Sequence, residues 1–101
     1  MYSSNAKGSI MWTVLEHRTK ATKVIDRAPL QVRRKYTAWK QVVEQNGPFA
    51  LRRLPGYKDH ALKGSWEGCR SSCLNDQYRV IYSAEQETVT VFVEQIGPHD
   101  Y

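Results

Sequence analysis

The sequence predicts an α+β fold in which two helices pack on one antiparallel sheet. The chain has 101 residues and a mass of 11.7 kDa, a size that accommodates one hydrophobic core. Apolar residues recur at helical spacing in the first half of the chain and alternate with polar residues in the second half. Together these patterns predict the element order β-α-α-β-β-β, a two-layer architecture.

The first strand and the first helix are predicted near the start of the chain. Residues Met11 to Leu15 form a short segment rich in β-favouring side chains, which is typical of a strand. From Thr19 to Arg27 the apolar residues fall at helical spacing, and Thr19 is of a residue type that caps helices. We therefore expect a short helix that begins at Thr19.

The second helix has the clearest signal in the sequence. Pro29 is suited to a helix start, and Asn46-Gly47-Pro48 ends the pattern with a glycine and a proline that cannot continue a helix. Between them runs one apolar stripe, which consists of Val32, Tyr36, Trp39 and Val43.

Three strands are predicted after a long connector. Residues 47–68 contain several glycines and two of the four prolines, and connectors of this length are unusual unless they have a function. Residues Cys69 to Leu74 precede a predicted turn at Asn75 to Gln77. Residues Tyr78 to Ser83 and Thr88 to Ile96 then alternate in strand fashion. The last strand is expected to place on one face Val89, Val91 and Val93.

The first residues and the hydropathy of the chain indicate whether a secretory signal or a membrane span is expected. The first ten residues, Met1 to Ile10, lack the apolar stretch of a secretory signal, and we expect a flexible leader or tag-like segment there. The domain is expected to span residues 11–101. No apolar run approaches the roughly 18–20 residues that cross a bilayer, so no membrane span is predicted.

Charge is divided unevenly along the chain. Residues 1–54 carry eleven Lys and Arg against three Asp and Glu, a net charge of +8. Residues 55–101 carry four against seven, a net charge of −3. A basic half attracts a polyanion or an acidic partner protein.

The two cysteines, Cys69 and Cys73, are expected to be free thiols. On a strand, four residues span about 13 Å, which is too far for a disulfide. Free thiols are typical of the reducing cytosol, so a cytoplasmic protein is predicted. The spacing does not match a zinc knuckle, and neither a metal nor another cofactor is expected.

Several side chains outside the helices are suited to phosphate chemistry. Cleavage of RNA needs a base for the ribose 2′-hydroxyl, a cation for the pentavalent phosphorus and an acid for the leaving 5′-oxygen. Histidine serves as base or acid near neutral pH, and arginine binds a phosphate through two parallel donors. Taken singly, each such residue is more often a solvated surface residue. The candidates are Lys58, His60, Lys63, Arg70, Arg79, His99, Asp100 and Tyr101.

Four short motifs follow one another in the second half of the chain. They are Tyr57-Lys58-Asp59-His60-Ala61-Leu62-Lys63-Gly64, then Gly68, then Tyr78-Arg79-Val80-Ile81-Tyr82, then His99-Asp100-Tyr101. In this order they resemble the RelE/HigB/YoeB/YafQ superfamily of bacterial toxins. The resemblance implies a RelE-like fold and the toxin half of a type II toxin–antitoxin module. Many such toxins are mRNA interferases that act on the ribosome, and they form hetero-oligomers with a cognate antitoxin.

The resemblance also implies roles for individual residues. Arg79 matches the arginine that acts on the scissile phosphate, and His60 and His99 match histidines of the acid/base set. Tyr101 matches the tyrosine that stacks on a base or orients the ribose. The residues expected to bind RNA or phosphate are Arg70, Lys58, Lys63 and Asp100. Which histidine is the acid and which the base is left open.

The sequence departs from the superfamily pattern at Ser72 and Cys73, where relatives often place further Lys or Arg, so a weaker phosphate grip is expected. Two other functions stay open. A ParE-like toxin keeps the fold but poisons DNA gyrase without nuclease activity. A catalytically weakened domain would mainly repress its operon together with the antitoxin. The combination of His60, Arg79, His99 and Tyr101 favours the ribonuclease.

Overall fold

The computed structural model of the chain describes residues 11–98 and contains five strands and two α-helices in that range. The segment predicted over residues 1–10 and the last three residues lie outside it. The strands are β1 (Thr13–Glu16), β2 (His60–Ala61), β3 (Arg70–Cys73), β4 (Tyr78–Glu85) and β5 (Thr90–Pro98). The helices are α1 (Lys23–Asp26), which continues from a π-helical turn (Arg18–Thr22), and α2 (Leu30–Asn46). Short 3₁₀ turns occupy Pro48–Arg53, Pro55–Tyr57 and Gly64–Trp66.

The strands form one mixed sheet in the order β1-β5-β4-β3-β2. The α+β prediction is confirmed, but the expectation of a purely antiparallel sheet is wrong because β1 runs parallel to β5. The remaining neighbours pair antiparallel. Alternation of side chains identifies a strand but not the direction of its neighbour, and β1 has its partner at the far end of the chain. β2, a two-residue strand inside the predicted connector, was not expected.

The core lies between α2 and one face of the sheet. The predicted stripe is buried and consists of Val32, Tyr36, Trp39 and Val43. The Trp39 ring stacks on Tyr36 with centroids 5.6 Å apart and meets Tyr82 of β4 edge-on at 5.4 Å. Aromatic pairs in such geometries contribute about 0.5–1.5 kcal/mol beyond the area they bury. The helix prediction is therefore confirmed in its bounds and in its buried face.

The faces of the last strand differ in part from the prediction. Val91 and Val93 share one face as expected, and both are buried in the core, whereas Val89 is 37% exposed and has a φ of 51°. Val89 belongs to the turn before β5, which begins at Thr90 and not at Thr88. The prediction that Val89 shares a face with Val91 and Val93 is thus wrong, because the strand alternation does not extend back through the turn.

The start of the first helical segment differs from the prediction, whereas the end of α2 agrees with it. The first helical segment begins at Arg18, and its cap is His17, whose Nδ1 accepts a hydrogen bond from the Lys20 N–H at 3.1 Å. The prediction of Thr19 as the cap is wrong. α2 ends at Gly47 as predicted, with a φ of 86° that favours glycine. A Cβ there would also lie 2.9 Å from Nε1 of Trp12.

Within residues 11–98 no helix has the length and apolar character to cross a bilayer.

A carboxylate holds the edge strand β1 against the helices. Glu16 accepts hydrogen bonds from the Tyr36 hydroxyl at 2.6 Å, from the Thr22 hydroxyl at 2.7 Å and from Nζ of Lys40 at 3.4 Å. Burial alone would raise the pKa of Glu16, but these hydrogen bonds and the Lys40 charge outweigh it, and the pKa is lowered from its ordinary value of 4.5. Folding therefore favours the ionised carboxylate.

We expect this carboxylate to contribute stability that is complete above pH 4.5 and is lost as the pH falls through the lower pKa of the folded state. Glu16→Gln should lower the free energy of unfolding by about 1–3 kcal/mol at pH 7, since hydrogen bonds to a charged group are lost. The deficit should shrink at pH 3. Urea titrations of both proteins at the two pH values measure this, and an equal deficit at both would contradict it.

Candidate functional site

The sheet has two faces, and its pairing register assigns each candidate residue to one of them. Directly opposite residues on neighbouring strands point to the same side. The helical face packs on α2. The distal face points the other way and is defined by two rows of cross-strand partners. One row is His60, Ser71, Ile81 and Gln95, and the next is Cys73, Arg79 and Gly97.

Arg79 lies at the centre of the distal face on β4. It is paired with Cys73 on one side and with Gly97, which has no side chain, on the other. The residue is 0% exposed. Contact with a phosphate therefore requires the guanidinium to become accessible, and charge interactions there would be stronger than in water.

His60 is on the same face, on the edge strand β2, and is exposed. Its ring Nδ1 lies 2.8 Å from the carbonyl oxygen of Lys58. A carbonyl can only accept, so Nδ1 carries the hydrogen and Nε2 is the atom that gains or loses a proton. Lys58 reaches this position through a left-handed backbone conformation, with a φ of 49°. The local turn thus selects the ring nitrogen that is available for chemistry.

The distance between His60 and Arg79 follows from the sheet geometry. Their strands are separated by β3, which amounts to about 10 Å across the sheet, and they are offset by two residues, about 7 Å along it. Their Cα atoms are therefore roughly 12 Å apart. Both side chains point to the same side, so one extended molecule on the distal face spans both positions, and it can contact Arg79 only after that residue becomes accessible.

Lys58 and Lys63 flank His60 on the connector, and both are exposed. Lys58 lines a cavity of about 200 Å³. The other residues that line it are Gly56, Cys73, Asn75 and Asp76. Cys73, the cross-strand neighbour of Arg79, lines this cavity, and Arg79 itself does not. Sequence reasoning named Lys58 but missed the cavity, which is formed by the connector and the β3–β4 turn.

The β3–β4 turn is formed where it was predicted. The Asn75 side-chain oxygen accepts hydrogen bonds from the backbone N–H groups of Gln77 at 2.8 Å and Tyr78 at 2.7 Å. Such side-chain-to-backbone bonds are the reason that asparagine favours turns. The turn sets the register that places Cys73 opposite Arg79.

Arg70 is not brought together with His60 and Arg79. It belongs to the helical face, opposite Tyr82, and its Nε donates a hydrogen bond to Asp59 at 2.6 Å. Burial alone would lower the pKa of Arg70, but the hydrogen bond and charge of Asp59 outweigh it and raise the pKa. Arg70, for which the sequence predicts a phosphate-binding role, therefore lies on the opposite side of the sheet from Arg79.

Asp59 is the residue that sequence reasoning missed. Its side chain is 0% exposed and accepts three hydrogen bonds. The donors are Nε of Arg70, the Ser72 hydroxyl at 2.7 Å and the Tyr82 hydroxyl at 2.5 Å. Burial and then Asp59 raise the pKa of Tyr82, so this hydroxyl stays a donor. The available signal was the position of Asp59 directly before His60 in the quoted motif.

The cysteine prediction is confirmed, and the C-terminal residues lie outside the described range. Cys69 and Cys73 are free and half-buried. Among residues 11–98 no group of three or more His, Cys, Asp or Glu side chains is arranged to hold a metal ion. β5 ends at Pro98 opposite Tyr78, one residue from the Arg79–Gly97 pair. His99, Asp100 and Tyr101 follow directly, and their roles stay predictions.

Comparisons with known proteins identify this architecture. No family model matches the sequence, and no curated protein matches it. Solved structures do. A chain of the RelE–RelB complex from Pyrococcus horikoshii OT3 matches with a TM-score of 0.71 at 20% identity, over 90% of this chain and 98% of that one. A chain of the E. coli DinJ–YafQ toxin–antitoxin complex matches with a TM-score of 0.67 at 24% identity, over 89% and 94%. A chain of the YoeB–YefM complex from Staphylococcus aureus matches with a TM-score of 0.66 at 16% identity, over 87% and 97%.

We expect the neutral His60 ring to carry its hydrogen on Nδ1, because the Lys58 carbonyl accepts from that nitrogen. Long-range ¹H–¹⁵N NMR spectra of the imidazole at high pH distinguish the two tautomers. His17 is the internal control, because its Nδ1 accepts from the Lys20 N–H and should therefore lack the hydrogen. A neutral His60 protonated mainly on Nε2 would contradict the assignment.

Proposed function

Because the chain has the RelE-like toxin fold, we propose that it is the toxin of a type II toxin–antitoxin pair and an endoribonuclease that cleaves mRNA on the ribosome. The observation that carries the proposal is the placement of His60 and Arg79 on one face of the sheet. The first can move a proton near neutral pH, and the second can stabilise a phosphate.

The proposed reaction needs only groups that this chain provides. A base removes the proton of the ribose 2′-hydroxyl, and the 2′-oxygen attacks the adjacent phosphorus. The bond from phosphorus to the 5′-oxygen breaks, and an acid protonates that oxygen. The products are a 2′,3′-cyclic phosphate and a 5′-hydroxyl. His60 and His99 share the acid and base roles, and His60 acts through Nε2. We infer that the reaction is metal-independent.

Arg79 supplies the stabilising charge in this scheme. The negative charge on phosphorus oxygens grows in the transition state, and a positioned guanidinium in a region of low dielectric constant stabilises it. Binding of RNA on the distal face must expose Arg79, since the residue is 0% exposed. Lys58 and Lys63 attract the RNA backbone beside His60. Tyr101 is proposed to stack on a base, with Asp100 next to it.

The basic half of the chain is proposed as the docking surface for ribosomal RNA. Arginine side chains on α2 and on the following turn point to solvent, and these are Arg33, Arg34, Arg52 and Arg53. In the same region Lys35 lies over the ring of Tyr57, and Arg52 lies over the ring of Phe49. Attraction to RNA phosphates is independent of sequence and weakens with salt. It brings the toxin to RNA, and the distal face does the chemistry.

A cognate antitoxin is the proposed protein partner. The three structures named above are complexes of toxins with RelB, DinJ or YefM. We propose that the antitoxin of this chain covers the basic surface or displaces the C-terminal residues, in a hetero-oligomer. The proposed site of action, the translating ribosome, places the protein in the cytoplasm.

We expect growth arrest when the chain is expressed without antitoxin, together with new mRNA 5′ ends inside coding regions. Arg79→Ala should lower cleavage by about 10²–10³-fold, the usual cost of losing one transition-state charge partner. Arg27→Ala is the control for losing one charge from the docking surface: it removes an exposed arginine at the end of α1 and should lower cleavage far less than Arg79→Ala does. Mapping of 5′ ends measures the effect.

The same experiment separates the other functions. Arrest without new 5′ ends would indicate a gyrase poison of the ParE type, and His60→Ala should then stay toxic. Absence of arrest would indicate a domain that acts mainly in repression. Full cleavage by Arg79→Ala would exclude the role given to this arginine.

A further inference from the structure

We propose that Asp59 is the positioning residue of the site: its buried carboxylate anchors the connector so that His60 is held with Nε2 available. The inference deepens the proposed function, because it concerns a residue proposed to act on RNA. It begins from the weakness of β2, which has only two residues and lies at the edge of the sheet. A strand that short is not stable through its own pairing.

The additional anchor comes from the residue before β2. The three donors to Asp59 belong to two strands, Arg70 and Ser72 to β3 and Tyr82 to β4. A carboxylate that is 0% exposed is costly to bury unless its oxygens are hydrogen-bonded, and here both are. The connector therefore has one low-energy position against the sheet, set by these three bonds.

The geometry transmits this anchor to the distal face. Consecutive residues of an extended chain point to opposite sides, so a fixed Asp59 on the helical face directs His60 to the distal face. Asp59 also lies between Lys58 and His60 in the chain, and the Lys58 carbonyl oxygen is 2.8 Å from Nδ1 of the His60 ring. Release of the carboxylate would let that carbonyl and the ring separate. The selection of Nε2 for chemistry would then be lost.

The chain contains a control for the loss of a carboxylate that accepts several hydrogen bonds. Glu16 also accepts three side-chain hydrogen bonds, from Thr22, Tyr36 and Lys40. It lies on β1, at the opposite edge of the sheet from β2. Glu16→Gln thus reports the general cost of breaking such a network, and Asp59→Asn reports that cost plus any effect on His60.

We expect Asp59→Asn to change the neutral His60 ring from one tautomer to a mixture in the NMR spectrum of the full chain. The kcat for RNA cleavage should fall about 10-fold or more with KM within about 3-fold, because small displacements of catalytic groups act mainly on kcat. Glu16→Gln should leave the His60 tautomer and kcat unchanged at a temperature where both variants are folded. Ser72→Ala, which removes one of the three bonds, should give an intermediate result and serves if Asp59→Asn does not fold.

Two outcomes would overturn the proposal. One is a variant at Asp59 or Ser72 with the wild-type tautomer and kcat. The other is an equal change in Glu16→Gln, which would show that the network only stabilises the fold. The NMR measurement needs no RNA. If the wild-type chain cleaves no RNA but Asp59→Asn changes the His60 tautomer, the positioning role stands and the proposed function fails.

Discussion

Tyr82 connects the hydrophobic core to the candidate site, and the arrangement of both depends on it. Its ring meets Trp39 edge-on in the core, and its hydroxyl donates to Asp59 at 2.5 Å. The carboxylate then holds the connector next to His60. The position of an exposed catalytic candidate is therefore determined by a side chain packed against α2. Packed cores are dense and deform little, so a site anchored to one inherits its rigidity.

The two faces of the sheet carry different sets of charged and titratable side chains. On the helical face, Asp59 and Arg70 neutralise each other, and their hydrogen bonds stabilise the fold. On the distal face, Arg79 and His60 belong to adjacent rows of cross-strand partners. Arg70 on β3 and Arg79 on β4 therefore lie on opposite faces: Arg70 is paired with the buried carboxylate of Asp59, and Arg79 is on the proposed reaction face.

Local patterns predicted local structure well and long-range partners poorly. The stripe that includes Trp39 predicted the buried face of α2, and Gly47 predicted its end, because both signals lie within a few residues. The parallel partner of β1 and the strand β2 depend on residues far away in the sequence. For the same reason the face of Arg70 was not foreseen, since only the three-dimensional register shows that Asp59 reaches it. The roles of the C-terminal residues were predicted from resemblance alone.

The division of charge along the chain has a mechanistic meaning in the proposed function. Attraction of RNA by the basic half acts equally on the bound substrate and on the transition state, so it increases occupancy without accelerating the bond-breaking step. Acceleration requires groups that interact more strongly as charge develops on phosphorus. A few positioned side chains, such as Arg79 and His60, meet this need, and a large positive charge around them would also retain the anionic product. The net charge is +8 over residues 1–54, which are proposed to dock on RNA, and −3 over residues 55–101, which carry the proposed reacting groups. This division is consistent with separate roles in binding and in catalysis.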